Sequence, residues 1–295
     1  MNTNYDRAAE DLGNIVGLEH VNIRVPDQHL ATLFYVTGLG LTRDPYLVTG
    51  VVNMWINVGR SQFHLPTGDP QLMRGQVGLV VPDIAALGRR LEAMRDALAD
   101  TAFKFAVRGP ASRRYIDVTC PWGNRIHCHG PGKRYGRVVL GMPYLAFDVA
   151  EGTAEGIARF YREVMLAPAT LEPINRRPAA RVSAGPCQDL IFRETKAPAA
   201  PYDGHHIQVY VADFSEPHAQ LRKRGLVTEE SNQHQYRFLD IVDPKNGKAL
   251  FRLEHEVRSM THPLYARPLV NRNPEQTNNA FAPGHEECAW AMPYS

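Results

Sequence analysis

Four short segments of the chain share one pattern of apolar and polar positions: LEHVNIRVPD (18–27), RGQVGLVVPD (74–83), MPYLAFDVAE (142–151) and GHHIQVYVAD (204–213). Each alternates or runs apolar over a strand's length and ends near an acidic residue, which predicts a β-strand. Aligned on one another, they place His20, Gln76, Tyr144 and His206 at one equivalent position, at intervals of 56, 68 and 62 residues. A period of this size marks a repeated supersecondary unit.

The stretches after these segments also resemble one another. QHLATLFYVTGLGL, IAALGRRLEAMRDAL, GTAEGIARFYREVM and FSEPHAQLRKRGL carry apolar residues at three-to-four spacing, as in Leu30, Leu33 and Phe34 or in Leu87, Leu91 and Met94, and predict helices. Gly38 and Gly225 are plausible stops. Three short β-like runs then close each unit, separated by turn signals such as PWGN (121–124) and DPKNG (243–247). The chain therefore reads as four βαβββ units. One such unit cannot close a barrel, so its sheet must pair with another. We expect an α+β fold of four βαβββ modules paired into two open eight-stranded barrels. Consecutive pairing gives an N-terminal barrel over 1–135 (modules 1 and 2) and a C-terminal barrel over 136–258 (modules 3 and 4). The Gly-rich basic stretch GPGKRYGRVVLG (130–141) reads as linker, and the Pro- and Asn-rich tail 259–295 as an extended arm.

Composition adds bounds. Hydrophobic residues at 44% can fill a core in 295 residues. A net charge of +2, from 33 Lys and Arg against 31 Asp and Glu, predicts no nucleic-acid or membrane partner. Cys120, Cys128, Cys187 and Cys288 form no CxxC pair, and the N-terminus lacks an apolar run. A cytoplasmic protein is expected, assembled as a homo-oligomer and acting on a small molecule. No P-loop, Gly-rich dinucleotide fingerprint or Ser-His-Asp arrangement is visible.

HVNIRVPDQHLATLFYVTGLGL, a strand followed by a helix with FY and then GLGL, resembles the opening of the vicinal oxygen chelate superfamily, the glyoxalase, bleomycin-resistance and extradiol-dioxygenase group. FYREVMLA repeats the motif in the third unit, and the CPWGN turn before RIHCH and DPKNGK resemble the turn that precedes the last strand of each unit. The resemblance spans roughly residues 15–256 and rests on repetition in order. It implies a divalent metal inside a barrel, Fe2+ foremost with Mn2+, Zn2+ or Ni2+ as alternatives, held by residues of the first and last strands of paired units. Carried over, it points to His20, His64, Gln76 and His127 in the N-terminal barrel, with Gln62 and His129, two residues away on the same faces as His64 and His127, as competitors. The C-terminal barrel offers His206 and Glu254, on a face shared with Arg252 and Glu256, whereas DLIFRET in the third unit offers no ligand. Tyr144 stands where a histidine ligand would be expected and is assigned a catalytic role as hydroxyl donor or third ligand. His205, beside His206, is a second catalytic candidate. Asn53, Trp55 and Asn57 share one strand face, an unusual mix for a core, and with Tyr236 form the candidate substrate lining. The implied activity is metal-dependent and dioxygenase-like, cleaving the ring of a small aromatic substrate. The alternatives are a metal-free drug-binding or resistance protein and a glyoxalase-like lyase or isomerase.

Overall fold

The computed structural model describes residues 5–47, 51–174, 176–198 and 200–271. The arm beyond 271 lies outside the described residues. The first unit comprises β1 (Ile15–Asn22), α1 (Gln28–Ala31) running into a π-helical segment over Thr32–Gly38, β2 (Thr42–Arg43), β3 (Asn53–Val58) and β4 (Ser61–Pro66). The second has β5 (Gly75–Val80), α2 (Ile84–Ala93), β6 (Lys104–Arg108), β7 (Tyr115–Thr119) and β8 (Arg125–His129). The third has β9 (Gly141–Ala150), α3 (Ala154–Glu163), β10 (Ala169–Ile174), β11 (Arg177–Ser183) and β12 (Asp189–Thr195). The fourth has β13 (His206–Val211), α4 (Ser215–Lys223), β14 (Val227–Asn232), β15 (Gln235–Val242) and β16 (Ala249–Ser259). Four βαβββ units are thus present.

The acidic residues that end the repeated segments have a physical task. Asp27 Oδ1 accepts the backbone N–H groups of His29 and Leu30 at 2.7 and 2.9 Å, and Asp83 Oδ1 those of Ala85 and Ala86 at the same distances. Each caps the helix that follows. Asp213 does the same for Glu216 N–H at 3.1 Å. In the third unit Glu194, reaching across from β12, accepts from Ala154 N–H at 2.9 Å. The run LTRDPYLV contributes only Thr42–Arg43 as strand, because Asp44 Oδ1 accepts from the N–H groups of Tyr46 and Leu47 and turns the chain.

The strands form two open eight-stranded sheets, ordered β14-β15-β16-β13-β1-β4-β3-β2 and β10-β11-β12-β9-β5-β8-β7-β6. This corrects the expectation that consecutive units share a barrel. Module 1 pairs with module 4, through antiparallel β1 and β13, and module 2 with module 3, through antiparallel β5 and β9. Consecutive units meet instead through their helix-covered faces. Phe34 packs edge-on to Phe103 between modules 1 and 2, and Phe160 against Phe238 between modules 3 and 4. Period-two alternation satisfies both contacts at once. Ile207, Val209 and Val211 of β13 are fully buried in the shared core, while His206, Gln208 and Tyr210 take the opposite, inner face. Both contacts bury the same apolar alternation, so hydrophobic pattern alone does not choose between them.

Gln188 bridges the two sheets. Its Nε2 donates to Leu18 O at 2.9 Å, Ser61 Oγ at 3.0 Å and Met142 O at 3.2 Å, and its Oε1 accepts from Leu18 N–H at 3.0 Å.

The nested pairing predicts that the chain does not divide at its middle. A fragment covering 1–140 holds module 1 without its partner module 4, leaving β1 as an uncovered edge. We expect that fragment to show no cooperative thermal transition by circular dichroism, and co-expression with 141–295 to restore one. A sharp transition in the isolated fragment would contradict the pairing.

Candidate metal centre

The inner face of the first sheet is built from side chains that alternation turns away from the core. His20 of β1 lies opposite Gln208 of β13, which in turn is in register with Glu256 of β16. His206 is in register with Glu254. On the other side of β1, His20 is in register with Gln62 and Asn22 with His64 of β4. A β-bulge between Leu18 and His20 sets Glu19 and His20 together against Gln208. That bulge explains why two sequence neighbours share a site, with Glu19 Oε2 at 3.2 Å from His20 Nδ1.

Three ligand-type side chains converge. One donor atom each of His20, His206 and Glu256 lies within 4.8 Å of the others, and this is the metal-capable cluster found among the described residues. Glu254 Oε2 adds a contact to His206 Nδ1 at 3.5 Å. The His64 ring stacks between Trp55, with centroids 3.8 Å apart, and His20, 3.7 Å apart. His64 Nε2 is 3.0 Å from Gln62 Oε1, and Gln62 Nε2 donates to Asp44 Oδ2 at 2.9 Å and Asn57 Oδ1 at 2.6 Å. The start of the C-terminal arm ties this wall down: Arg267 Nη2 donates to Asp44 Oδ2 at 2.5 Å, and Asn57 Nδ2 donates to Val270 O at 2.8 Å.

Charge surrounds the cluster. Arg237 bridges Glu254, at 2.9 Å, and Glu256. Arg258 spans Glu256 Oε1 at 2.6 Å and Glu19 Oε2 at 3.1 Å, and its Nε donates to Gln235 Oε1 at 3.0 Å. Tyr210 donates to Glu19 Oε1 at 3.2 Å. Burial pushes the His206 imidazole down to about 3, helped by Arg237 and Arg258, and holds His20 and His64 well below the usual 6.5. All three rings are therefore neutral, the form whose lone pair can bind a cation. Burial raises the Glu19 carboxyl against the pull of Arg258.

The expected four-residue N-terminal set is split by the pairing of modules. His20 and His64 belong to this centre, beside His206 and Glu254. Gln76 and His127 lie in the second sheet, where Gln76 Nε2 meets His127 Nδ1 at 2.9 Å. Tyr144 is also there, its hydroxyl 2.9 Å from His129 Nε2 and far from any role beside His206. In β9 register Tyr144 matches His206, and β12 supplies Ile191 where β16 supplies Glu256. The second inner face is packed with Val80, Tyr135, Tyr144, Ala146, Ala179 and Ile191. Gly78 belongs to that packing, since a Cβ there would stand 2.2 Å from the Tyr144 ring.

His205 precedes β13 and is fully buried away from the cluster, with Nδ1 2.7 Å from Asp203 Oδ1. Trp55 and Asn57 reach the centre, and Asn53 stands at the start of the same strand. Tyr236 does not, because its strand position points it to the helix side, against Phe214 and His218. Glu256, Gln208, Arg237, Arg258 and Glu19 were not assigned by sequence reading. The alternation of ALFRLEHEVRS carries Glu256 and Arg258 on the Glu254 face, and HIQVYV carries Gln208 on the His206 face.

Two open sheets, each of two βαβββ units with ligand positions on central strands, settle the architecture. The chain has the vicinal oxygen chelate fold. No family profile matches it, and no curated protein sequence does. Among solved structures, a dioxygenase candidate from Bacillus subtilis aligns at a TM-score of 0.58 and 14% identity, over 84% of this chain and 86% of its own. Glyoxalase I from Zea mays aligns at 0.57 and 11%, over 82% of this chain and 92% of its own. At these identities the likeness is one of fold. Within the vicinal oxygen chelate fold, the metal-capable cluster here sits between the first and last units of the chain. No helix of the described residues is long and apolar enough to cross a membrane.

Arg258 is 7% exposed and lies between two buried carboxylates. Arg258→Met leaves Glu19 without its guanidinium and Glu256 with Arg237 alone, and should cost about 3–5 kcal/mol in urea unfolding. A change within about 0.5 kcal/mol, the range of an ordinary surface substitution, would mean the network contributes nothing to folding.

The buried histidines also set a pH response. The unfolded chain takes up imidazole protons near 6.5, whereas burial holds His129 and His255 at about 4 in the fold. The unfolded state binds more protons between those values, so stability is full above 6.5 and falls as pH drops toward 4. Urea midpoints measured from pH 7.5 down to about pH 5 should decline steadily in this window; a flat profile would count against neutral burial.

Proposed function

We propose that the inner face of the first sheet is a mononuclear metal centre with His20, His206 and Glu256 as ligands, in a dioxygenase-like enzyme acting on a small aromatic substrate. The observation that carries this reading is the convergence of two neutral imidazoles and one carboxylate within 4.8 Å. Two histidines and one carboxylate on one side of a cation form the donor set of non-haem iron oxygenases, with the remaining positions open. The residues fit such an ion: burial keeps both rings unprotonated, and Glu19 and Arg258 hold His20 and Glu256 in place as outer partners. A bound divalent ion would supply Lewis-acid polarisation of substrate oxygens and a site for activating dioxygen.

The chain's own groups account for the rest. His64, neutral and stacked on His20, is a base-form imidazole able to take a proton from a substrate hydroxyl. Trp55 presents an aromatic face on the same wall. The Bacillus subtilis neighbour is a dioxygenase candidate and the maize neighbour is glyoxalase I, so a lyase or isomerase is the nearest catalytic alternative. The donor set favours the oxygenase.

A metal-free binding protein is the second reading, favoured by one observation. Arg237 and Arg258 already compensate Glu256 without a cation. Elemental analysis of protein purified without chelator separates the two. We expect near-stoichiometric Fe, Mn, Zn or Ni, lowered about tenfold or more by His20→Ala, His206→Ala or Glu256→Gln, and unchanged by Gln76→Ala or His127→Ala. Clean apo protein, or metal that survives all three substitutions, would reject the centre. Oxygen uptake with simple catechols, measured against conversion of a hemithioacetal, then distinguishes dioxygenase from glyoxalase.

A further inference from the structure

Gln208 makes none of the contacts that build the centre. It is fully buried, and among the described residues it alone has both side-chain amide atoms buried without a hydrogen-bond partner. Leaving a buried amide unpaired costs about 1–3 kcal/mol in proteins. Groups in that state are rare and call for a reason.

Its position supplies one. Gln208 is in register with His20 on one side and Glu256 on the other, and shares the inner face with His206 two residues before it. It therefore stands on the floor of the centre, among the three ligand-type side chains. The fold does not demand an amide there. In the second sheet, Ala146 of β9 occupies the matching register position, opposite Gln76 and in register with Ile191. In the sheet without the cluster the position is alanine, and where the metal-capable cluster stands it is glutamine.

The chemistry of an amide narrows the ligand. Its Nε2–H and Oε1 lie side by side in one plane, a donor next to an acceptor. The complement is a ligand edge with an acceptor next to a donor, such as a hydroxyl beside an oxyanion or carbonyl.

We infer that Gln208 is a substrate-binding residue that reads a hydroxyl beside a second oxygen acceptor, as in a vicinal diol. This deepens the proposed metal reading and rests on it.

The test uses the full chain loaded with Zn2+, which supports binding without oxygen turnover, and 4-nitrocatechol as the probe, followed by its visible absorbance. 4-Nitrophenol, with one hydroxyl, is the control. In Gln208→Leu and Gln208→Met we expect unchanged zinc content and a dissociation constant for 4-nitrocatechol raised at least tenfold. 4-Nitrophenol should change less than threefold. The apo variants should melt about 2 °C or more above wild type, because an unpaired buried amide has been replaced by an apolar group of similar size. A residue with a purely structural role would lower the melting temperature instead. If both variants bind 4-nitrocatechol as wild type does, lose zinc, or melt lower, the inference is overturned. Wild type that loads zinc yet binds neither probe overturns it and leaves the metal centre standing, whereas wild type that loads no zinc removes both.

Discussion

The antiparallel pairing of β1 with β13 at the middle of the first sheet determines where every polar side chain of the inner face can stand. Residues opposite one another on neighbouring strands share a face. Once His20 is set against Gln208, the parallel neighbours place Gln62 and Glu256 on that face as well. The bulge at Glu19 then adds a carboxylate to the same surface without disturbing Val21, which stays with Ile207 on the core side. A slip of one residue would turn His206, Gln208 and Tyr210 into the apolar core and Ile207, Val209 and Val211 out of it. The core thus enforces the register, and the register assembles the centre.

Much of this was legible in the sequence. The four repeated strands, their helices and the capping aspartates follow from period and from short polar side chains at helix starts, as Asp27 and Asp83 show. The equivalence of His20, Gln76, Tyr144 and His206 holds in the register, because His206 and Tyr144 occupy matching positions against β1 and β5. Which units share a sheet was not legible. Phe34 against Phe103 and β1 against β13 both bury the same apolar alternation, and nothing in that alternation separates a helix-side neighbour from a sheet neighbour. The error in grouping His20 and His64 with Gln76 and His127 stems from that single ambiguity. Glu256 was overshadowed by Glu254 for a smaller reason: the two lie on one face, and only the register of β16 on β13 sets Glu256 in line with Gln208 and His20, and Glu254 with His206.

The two sheets place different chemistry at matching positions of one scaffold. Matching positions read His20, His206, Gln208 and Glu256 in one sheet, and Gln76, Tyr144, Ala146 and Ile191 in the other. The second set fills its interior with apolar contacts, including Tyr135 from the stretch expected to be linker. Gln76 pairs there with His127 and Tyr144 with His129, whereas the Gln208 amide of the first set has no such partner.

That difference bears on why so many charges are tolerated at the centre of a sheet. A buried ion pair seldom adds stability over apolar packing of equal volume. Arg258, Glu19 and Glu256 therefore do not stand where they do to strengthen the fold. The network instead fixes orientation. Arg258 holds Glu256 and Glu19 together, Glu19 in turn meets His20, and Arg237 gathers Glu254 and Glu256 beside His206. Under the proposed function, rings kept neutral by burial and carboxylates kept in place by guanidiniums form a preorganised donor set whose cost is recovered when a cation binds.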